Sequence, residues 1–410
     1  MRILHTADWH LGRTLYDKTR YAEFKHFLDW LIETIRERSI DVLLVAGDVF
    51  DTIAPSYRAQ ELYYDFLSQL AKTGCRHGVI TAGNHDSPTF LEAPKRLLQA
   101  MDIHILGNVT DPIDREVLLL RDADGKPELI VCAVPYLRDR DIRKSDAAES
   151  LETKEIKLRE GIANHYAQVA DIAVRMRDSL GLPIPILAMG HLYTAGGETI
   201  EGDGVRKLYV GNLAHVESSI FPNCFDYVAL GHLHVPQTVN GSEIIRFSGS
   251  PIPMGFGEAQ QQKYVNLIEW ADNRLEVDLI PVPQTQRLES IQGDWPHIES
   301  RLEELKHSSA SIWLEVSYRG AEPIANLREK IDEIIDGTLL ECLCVSDDRN
   351  AQTILKNGDF SKTLEELQPI DIFQRCLELN QVPEDKRKDL VLAYEEILSQ
   401  VQESVPHVDQ

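Results

Sequence analysis

Metal-competent side chains recur in this sequence at one kind of place, directly after a short apolar run. Four runs end through a glycine, as Ala46-Gly47-Asp48, Ala82-Gly83-Asn84-His85-Asp86, Met189-Gly190-His191 and Leu230-Gly231-His232-Leu233-His234, and a fifth ends Thr6-Ala7-Asp8-Trp9-His10. Carboxylate and amide oxygens with imidazole nitrogens are donors for divalent cations. Alternate residues of an extended segment point the same way, so Asp8-x-His10 and His232-x-His234 could each serve one ion. Singly these pairs say little, since about one Gly-His pair is expected by chance in such a chain. The inference rests on the ordered set: Asp8, His10, Asp48, Asn84, His191, His232 and His234 all fall where strand ends converge and a glycine allows a turn or a close approach.

Those endings require strands, and the first two thirds of the chain alternate strand-like with helical patterns, as in layered α/β folds. Expected strands are 2–6, 42–46, 78–82, 129–134, 184–189, 227–230, 244–248, 263–269 and 275–280. Phe24, Phe27, Leu28, Leu31, Ile32 and Ile35 repeat at helical spacing, which predicts a core-packing stripe, and a long polar helix is expected over 153–180. Pro281-Val282-Pro283 marks a first domain boundary. Beyond it, strand, helix, strand, helix and strand predict a small α+β module over 284–350, and Gly358 lies in a polar linker. Residues 360–404 read as helices alone, with apolar stripes at Leu364, Leu367, Ile370, Phe373 and Leu377, then Leu390, Tyr394, Ile397, Leu398 and Val401. Such short helices cannot build a core of their own and are expected to dock on something else.

At 410 residues the chain exceeds a single core, and 43% apolar with 26% charged residues describes an ordinary globular protein. The first residues leave no room for the apolar segment of a signal peptide and no run approaches a membrane span, so a cytoplasmic protein with no membrane association is expected. Six scattered cysteines without a CxxC spacing fit reduced, mostly buried thiols. The net charge of −24 opposes a simple phosphate-binding surface, unless bound cations or a second subunit supply the positive charge.

The five endings, together with Gly47-Asp48-x-x-Asp51, resemble the five motifs of calcineurin-like metallophosphoesterases. More closely, the opening Arg2-Ile3-Leu4-His5-Thr6-Ala7-Asp8-Trp9-His10-Leu11-Gly12 and Gly47-Asp48-Val49-Phe50-Asp51 resemble the SbcD family, and that resemblance extends over nearly the whole chain. It implies an α/β fold with a four-layer metallophosphoesterase β-sandwich flanked by helices over 1–280, followed by a DNA-positioning cap and the C-terminal helices. It also implies two divalent ions about 3.5–4 Å apart. Asp8, His10 and His234 would hold one, Asn84, His191 and His232 the other, and Asp48 would bridge them. The donor set alone suits manganese, iron or zinc; the family's usual ion is manganese. The implied chemistry is in-line attack of water on phosphorus, with His85 as general acid, paired with Asp51. Asp86 is expected to be structural, capping the helix that follows.

The same resemblance implies an ATP-dependent DNA double-strand exonuclease and single-strand or hairpin endonuclease of repair, recombination and replication. No phosphate-binding GxxxxGK[ST] loop occurs, so ATP would enter only through the family's coiled-coil ATPase partner SbcC, bound by the C-terminal helices of a homodimer within a heterotetramer. Thr52 stands where protein phosphatases of this superfamily carry an arginine, against a protein substrate. Candidate DNA contacts are Arg13, Lys18 and Arg20, then Arg138, Arg140, Arg143 and Lys144, although Asp139 and Asp141 make the second group equally compatible with a salt-bridged surface. Trp9 could stack a base, but a core role is expected. A small-substrate phosphodiesterase or nucleotidase, and a non-catalytic scaffold that docks an ATPase, are the competing expectations.

Overall fold

The computed structural model describes residues 1–142, 151–193, 217–322, 324, 326–347 and positions 377, 387, 390, 391 and 394. Arg143, Lys144 and nearly all of the expected C-terminal helices lie outside these residues. The chain divides into two compact units: Met1–Ser290 with Ala310–Trp313, and Ile291–Ser309 with the described residues from Leu314 on.

In chain order the first unit comprises β1 (Arg2–Thr6), a hairpin of β2 (Thr14–Leu15) and β3 (Lys18–Thr19), α1 (Tyr21–Glu37), β4 (Val42–Ala46), α2 (Tyr57–Leu70) and β5 (His77–Thr81). The short helices α3 (Pro88–Glu92) and α4 (Lys95–Gln99) precede β6 (Ile103–Leu106), β7 (Val117–Arg121), β8 (Pro127–Ala133), α5 (Asp139–Ile142), α6 (Leu151–Leu180) and β9 (Ile186–His191). Then come β10 (Tyr227–Gly231), β11 (Gln237–Val239), β12 (Ser242–Phe247), β13 (Tyr264–Ala271) and β14 (Arg274–Pro281). They form two six-stranded sheets, ordered β14-β13-β1-β4-β5-β6 and β11-β12-β10-β9-β8-β7. Neighbours β1, β4, β5 and β6 are parallel, as are β8, β9, β10 and β12.

Strand alternation builds the layers. On β4, Val42, Leu44 and Ala46 join Leu187, Met189, Tyr227 and Ala229 of the other sheet in one core, while Leu43 and Val45 pack with Phe24, Phe27, Leu31 and Phe66 of α1 and α2. On the second sheet, Ile186, Ala188, Val228 and Leu230 turn to Leu158, Tyr166 and Val169 of α6. Helix, sheet, sheet and helix therefore stack in four layers, the expected fold class. The central strands are buried on both faces, which is why they read as unbroken apolar runs. The edge elements β6, β7 and β11, and helix α2, carry weaker patterns and were not among the sequence expectations.

The second unit contains the remainder of β15 (Arg287–Gly293), α7 (Trp295–Leu305), most of β16 (Ile312–Tyr318), α8 (Leu327–Ile335) and β17 (Leu340–Asp347), with sheet order β15-β16-β17. Asp294 caps α7 by accepting a hydrogen bond from His297 N–H. Asn326 sits in the left-handed region at φ 60° just before α8.

Candidate metal centre

All seven expected ligands lie just beyond, or at, the C-terminal ends of five parallel strands, β1, β4 and β5 of one sheet and β9 and β10 of the other. Backbone bonds lash the loops together: Asp8 N–H donates to Gly47 O (3.1 Å), His10 N–H to Asp48 O (2.9 Å), and His232 N–H to the Asp8 carboxylate (2.8 Å). His85 N–H donates to Asp48 Oδ1 (2.8 Å). Donor atoms of Asp8, His10 and His234 lie within 4.8 Å of one another, as do those of Asp48, His191 and His232. Asn84 Oδ1 lies 3.0 Å from His191 Nε2, and Asp48 Oδ2 lies 3.3 Å from that nitrogen and 3.6 Å from His10 Nε2.

The glycines act mainly through the missing Cβ. A Cβ on Gly47 would fall 2.2 Å from His191 Nδ1, one on Gly83 2.1 Å from Asp48 Oδ1, and one on Gly231 1.8 Å from Ala46 O. Gly47 alone of the four motif glycines also needs the left-handed region, at φ 83°. The chemistry-bearing residues take that conformation themselves: φ is 53° at Asp8, 47° at His10, 49° at Asp48 and 106° at His232.

Three imidazoles are oriented through Nδ1 and offer Nε2 to the centre. His191 Nδ1–H donates to Ala46 O (3.1 Å), which turns Nε2 toward Asp48 and Asn84. His234 Nδ1 faces Glu258 Oε1 at 3.5 Å and His10 Nδ1 faces Asp51 Oδ1 at 3.4 Å, while the Nε2 atoms of these two rings approach to 3.1 Å. Burial pushes His10 down to about 4 and His232 well below the usual histidine value, so both rings are neutral and able to ligate. Burial pushes the Asp8 carboxyl up to about 7, against the pull of His191 and His234. Burial would raise Asp48 too, but the His191 ring, helped by His10 and His85, holds it below the carboxylate range; His191 rises to about 9 because Asp48 outweighs its burial. Two buried carboxylates among converging imidazole nitrogens fit divalent cations, which would take the place of the proton that Asp48 draws onto His191.

Glu258 and Lys263 were not found from sequence. Glu258 is fully buried; its Oε2 accepts from Lys263 Nζ, from Met254 N–H (3.0 Å) and from Ser250 Oγ–H (3.4 Å), leaving Oε1 for His234. Lys263 also donates to His234 O (2.9 Å). A lone Glu 24 positions after His234 has no spacing that could mark it.

Four expectations need correction. Asp51 does meet His85, but through its backbone: His85 Nδ1–H donates to Asp51 O (2.8 Å), whereas the carboxylate turns to His10 and to Arg13 Nη1 (3.2 Å). Asp86 is not a helix cap. It accepts from Gly83 N–H (2.8 Å), Val49 N–H (3.1 Å) and Phe50 N–H (2.9 Å), tying two motif loops together, while Ser87 caps α3. Arg20 cannot reach DNA, because it is buried in a bidentate pair with Glu23 (2.7 Å for both bonds) and donates to Pro253 O (2.5 Å). Arg13 is half-buried and committed to Asp51 rather than standing open to a phosphate. Of the other basic candidates, Lys18 is half-buried in β3, Arg138 donates to Asn108 Oδ1 (3.1 Å) and Arg140 is exposed beside Asp141 (3.6 Å). Trp9 is core, packed edge-on against Phe27 and Phe66.

Fold and site together define a two-sheet phosphoesterase with a polynuclear metal centre. Residues 1–236 match the calcineurin-like phosphoesterase family, and residues 284–381 match the family described as the type 5 capsule protein repressor C-terminal domain. The SbcD subunit of the SbcCD nuclease of Escherichia coli K12 is 36% identical over 95% of this chain and 96% of its own. The SbcD subunit of Rhodobacter capsulatus is 34% identical over 82% of this chain and 84% of its own, and that of Bacillus subtilis is 36% identical over 66% of each. The chain belongs to the calcineurin-like phosphoesterases and, within them, to the SbcD family of SbcCD nuclease subunits. Among the described residues no helix is long and apolar enough to cross a membrane.

Proposed function

We propose that this chain is the nuclease subunit of an SbcCD-type complex, hydrolysing DNA phosphodiester bonds at a two-ion centre. The observation that carries it is the pair of donor sets Asp8, His10, His234 and Asp48, His191, His232, brought together from four strand ends. The first set would hold one ion and His191 and His232, with Asn84, the second, while Asp48 lies within reach of both. Such ions, manganese here, would polarise the phosphate and activate the attacking water. The protein's own part is orientation and proton transfer. Ala46 O accepts from His191 Nδ1–H and Asp51 O from His85 Nδ1–H, while Asp51 Oδ1 and Glu258 Oε1 face Nδ1 of His10 and His234 at 3.4 and 3.5 Å. With Nδ1–H kept on Asp51 O, His85 would act as the imidazolium: its Nε2–H, on the ring stacked edge-on 4.7 Å from His10, passes the proton to the departing oxygen and leaves the neutral Nδ1–H ring. In His85→Gln, metal content should stay at the wild-type level while the turnover rate falls by about 10²–10⁴-fold. Loss of metal along with activity would sink the general-acid role.

The DNA-end and hairpin activity, its ATP dependence through SbcC, and a cytoplasmic homodimer inside a heterotetramer rest on kinship to the named subunits. The deciding assay incubates the purified chain with manganese on hairpin DNA and on bis-nitrophenyl phosphate, with and without SbcC and ATP. Cleavage of the hairpin, stimulated by SbcC and ATP, is expected; turnover of the small ester alone rejects the nuclease function. Truncation after Gly358 should keep basal nuclease activity and lose SbcC binding. Lys18, Arg138 and Arg140 are the remaining candidates for phosphate contact, and charge reversal at Arg138 and Arg140 should weaken DNA binding and flatten its salt dependence.

A further inference from the structure

A second group of metal-competent side chains lies at the other end of the first sheet. His77 opens β5 and His104 is the second residue of β6, where it pairs with Val79. Side chains two apart on a strand, and directly paired across neighbouring strands, share a face. Both imidazoles therefore stand on the face that Val79 turns to the second sheet, at the strands' N-terminal ends, whereas Asn84 and His85 follow the C-terminal end of β5. Asp102, just before β6, completes the group: one donor atom from each of His77, Asp102 and His104 lies within 4.8 Å of the others.

Two further observations point to a ligand. His77 Nε2–H donates to Arg121 O (2.8 Å), and since a carbonyl can only accept, this bond fixes the tautomer and leaves Nδ1 as a lone pair. That Nδ1 is buried and has no hydrogen-bond partner. This is the arrangement that orients a ligating histidine, with its acceptor nitrogen unused. The group also lines a cavity of about 720 Å³, walled by Cys75, Arg76, Asp102, Leu119 and Arg121, which gives an ion an entry path and room for water ligands. His104 is held below the usual histidine value by burial and by His77, so it too presents a neutral ring. The neighbouring cations are already engaged: Arg76 with Asp41 and Glu128 (2.5 Å each), and Lys95 with Glu92 (3.4 Å). The Cys75 thiol is engaged elsewhere, donating to the carbonyls of Asp41 (3.6 Å) and His77 (3.4 Å).

We propose that His77, Asp102 and His104 form a second, separate cation site that takes a transition-metal dication such as zinc, nickel or cobalt, with the open positions filled by water. Two imidazoles and one carboxylate favour these ions over magnesium or calcium, which prefer all-oxygen sets. The site does not depend on the assignment of the catalytic centre, and its removal should not touch that centre.

The test compares full-length wild-type protein with His104→Gln and with Asp102→Asn, each stripped by chelation and dialysed against a fixed free concentration of zinc. Metal per chain is read by atomic emission, folding by circular dichroism, and manganese-dependent phosphodiesterase activity alongside. The expected result is one zinc per chain fewer in both variants, with unchanged fold and unchanged activity. Equal zinc content in wild type and in either folded variant overturns the proposal. Asp102 is exposed, so its substitution tests the site even if His104→Gln fails to fold.

Discussion

Glu258→Gln offers the sharpest test of how this centre is built. In the wild-type protein one carboxylate oxygen is satisfied by Lys263, Met254 N–H and Ser250, and the other faces His234 Nδ1. Burial would raise this acid, yet Lys263 first and His234 second hold it at about 2, so it is ionised and can only accept. His234 must then carry its proton on Nδ1 and present Nε2 as a lone pair. A glutamine keeps the shape and reverses the logic. With its carbonyl toward Lys263 and Met254 N–H, its NH₂ points at Nδ1, the proton moves to Nε2, and the ligand is lost. Outer partners of this kind are worth about 10–100-fold in metal affinity, or about 1.4–2.7 kcal/mol. The substitution also leaves the Lys263 ammonium buried without its counter-charge, at a cost of about 3–5 kcal/mol in stability. Adding Lys263→Met separates the two effects: stability recovers, but the amide still faces Nδ1 and the affinity defect remains. Manganese binding by titration calorimetry and denaturant unfolding read both quantities. Wild-type affinity in folded Glu258→Gln, or full recovery of affinity in the double variant, would refute the tautomer argument.

Three further outcomes are expected. Gly231→Ala should abolish metal binding and destabilise the fold by about 3 kcal/mol or more, because the new methyl meets the Ala46 carbonyl at 1.8 Å and backbone cannot rotate away; a folded, metal-binding variant contradicts the close-approach account. Asp86→Ala should cost at least about 3 kcal/mol in denaturant unfolding, since it orphans the N–H groups of Val49, Phe50 and Gly83, and a loss below about 1 kcal/mol would show the loops to be held otherwise. His5 is pushed by burial from 6.5 down to about 3, so the folded state binds fewer protons than the unfolded chain between those values. Its stabilising contribution is complete above pH 6.5 and is lost as pH falls toward 3. In His5→Gln, stability should fall less steeply between pH 7 and 4, and an unchanged slope rules His5 out as the source.

What the sequence revealed follows from where each feature's physics resides. The ligand-bearing endings were legible because β1, β4, β5, β9 and β10 are covered on both faces and must be apolar along their length, so each run's abrupt stop at a polar residue stands out. Edge strands β6, β7 and β11 lack that contrast. The role of Glu258 is set by a meeting of chain segments 24 positions apart, and no local pattern records it. The Asp51–His85 contact was implied by the family resemblance, but a motif position cannot distinguish a carboxylate from the carbonyl of the same residue. Arg20 misled for the related reason that its salt-bridge partner, Glu23, turns with it into the core at helical i, i+3 spacing, where a count of charges sees only one surface cation.

The left-handed backbone at Asp8, His10, Asp48 and His232 explains why the endings are so constrained. Each such non-glycine residue costs on the order of 1–3 kcal/mol and persists only where its surroundings over-determine it. Here the surroundings are the other endings. His232 N–H is fixed by the Asp8 carboxylate, Asp8 N–H by Gly47, and His10 N–H by Asp48; Asp48 Oδ1 is in turn fixed by His85 N–H. The strained positions therefore brace one another across two sheets, and the side chains they carry are aimed by the protein's own hydrogen bonds. A centre organised in this way binds ions into a cradle whose geometry the backbone has already set, so the energy of binding need not be spent on ordering its ligands.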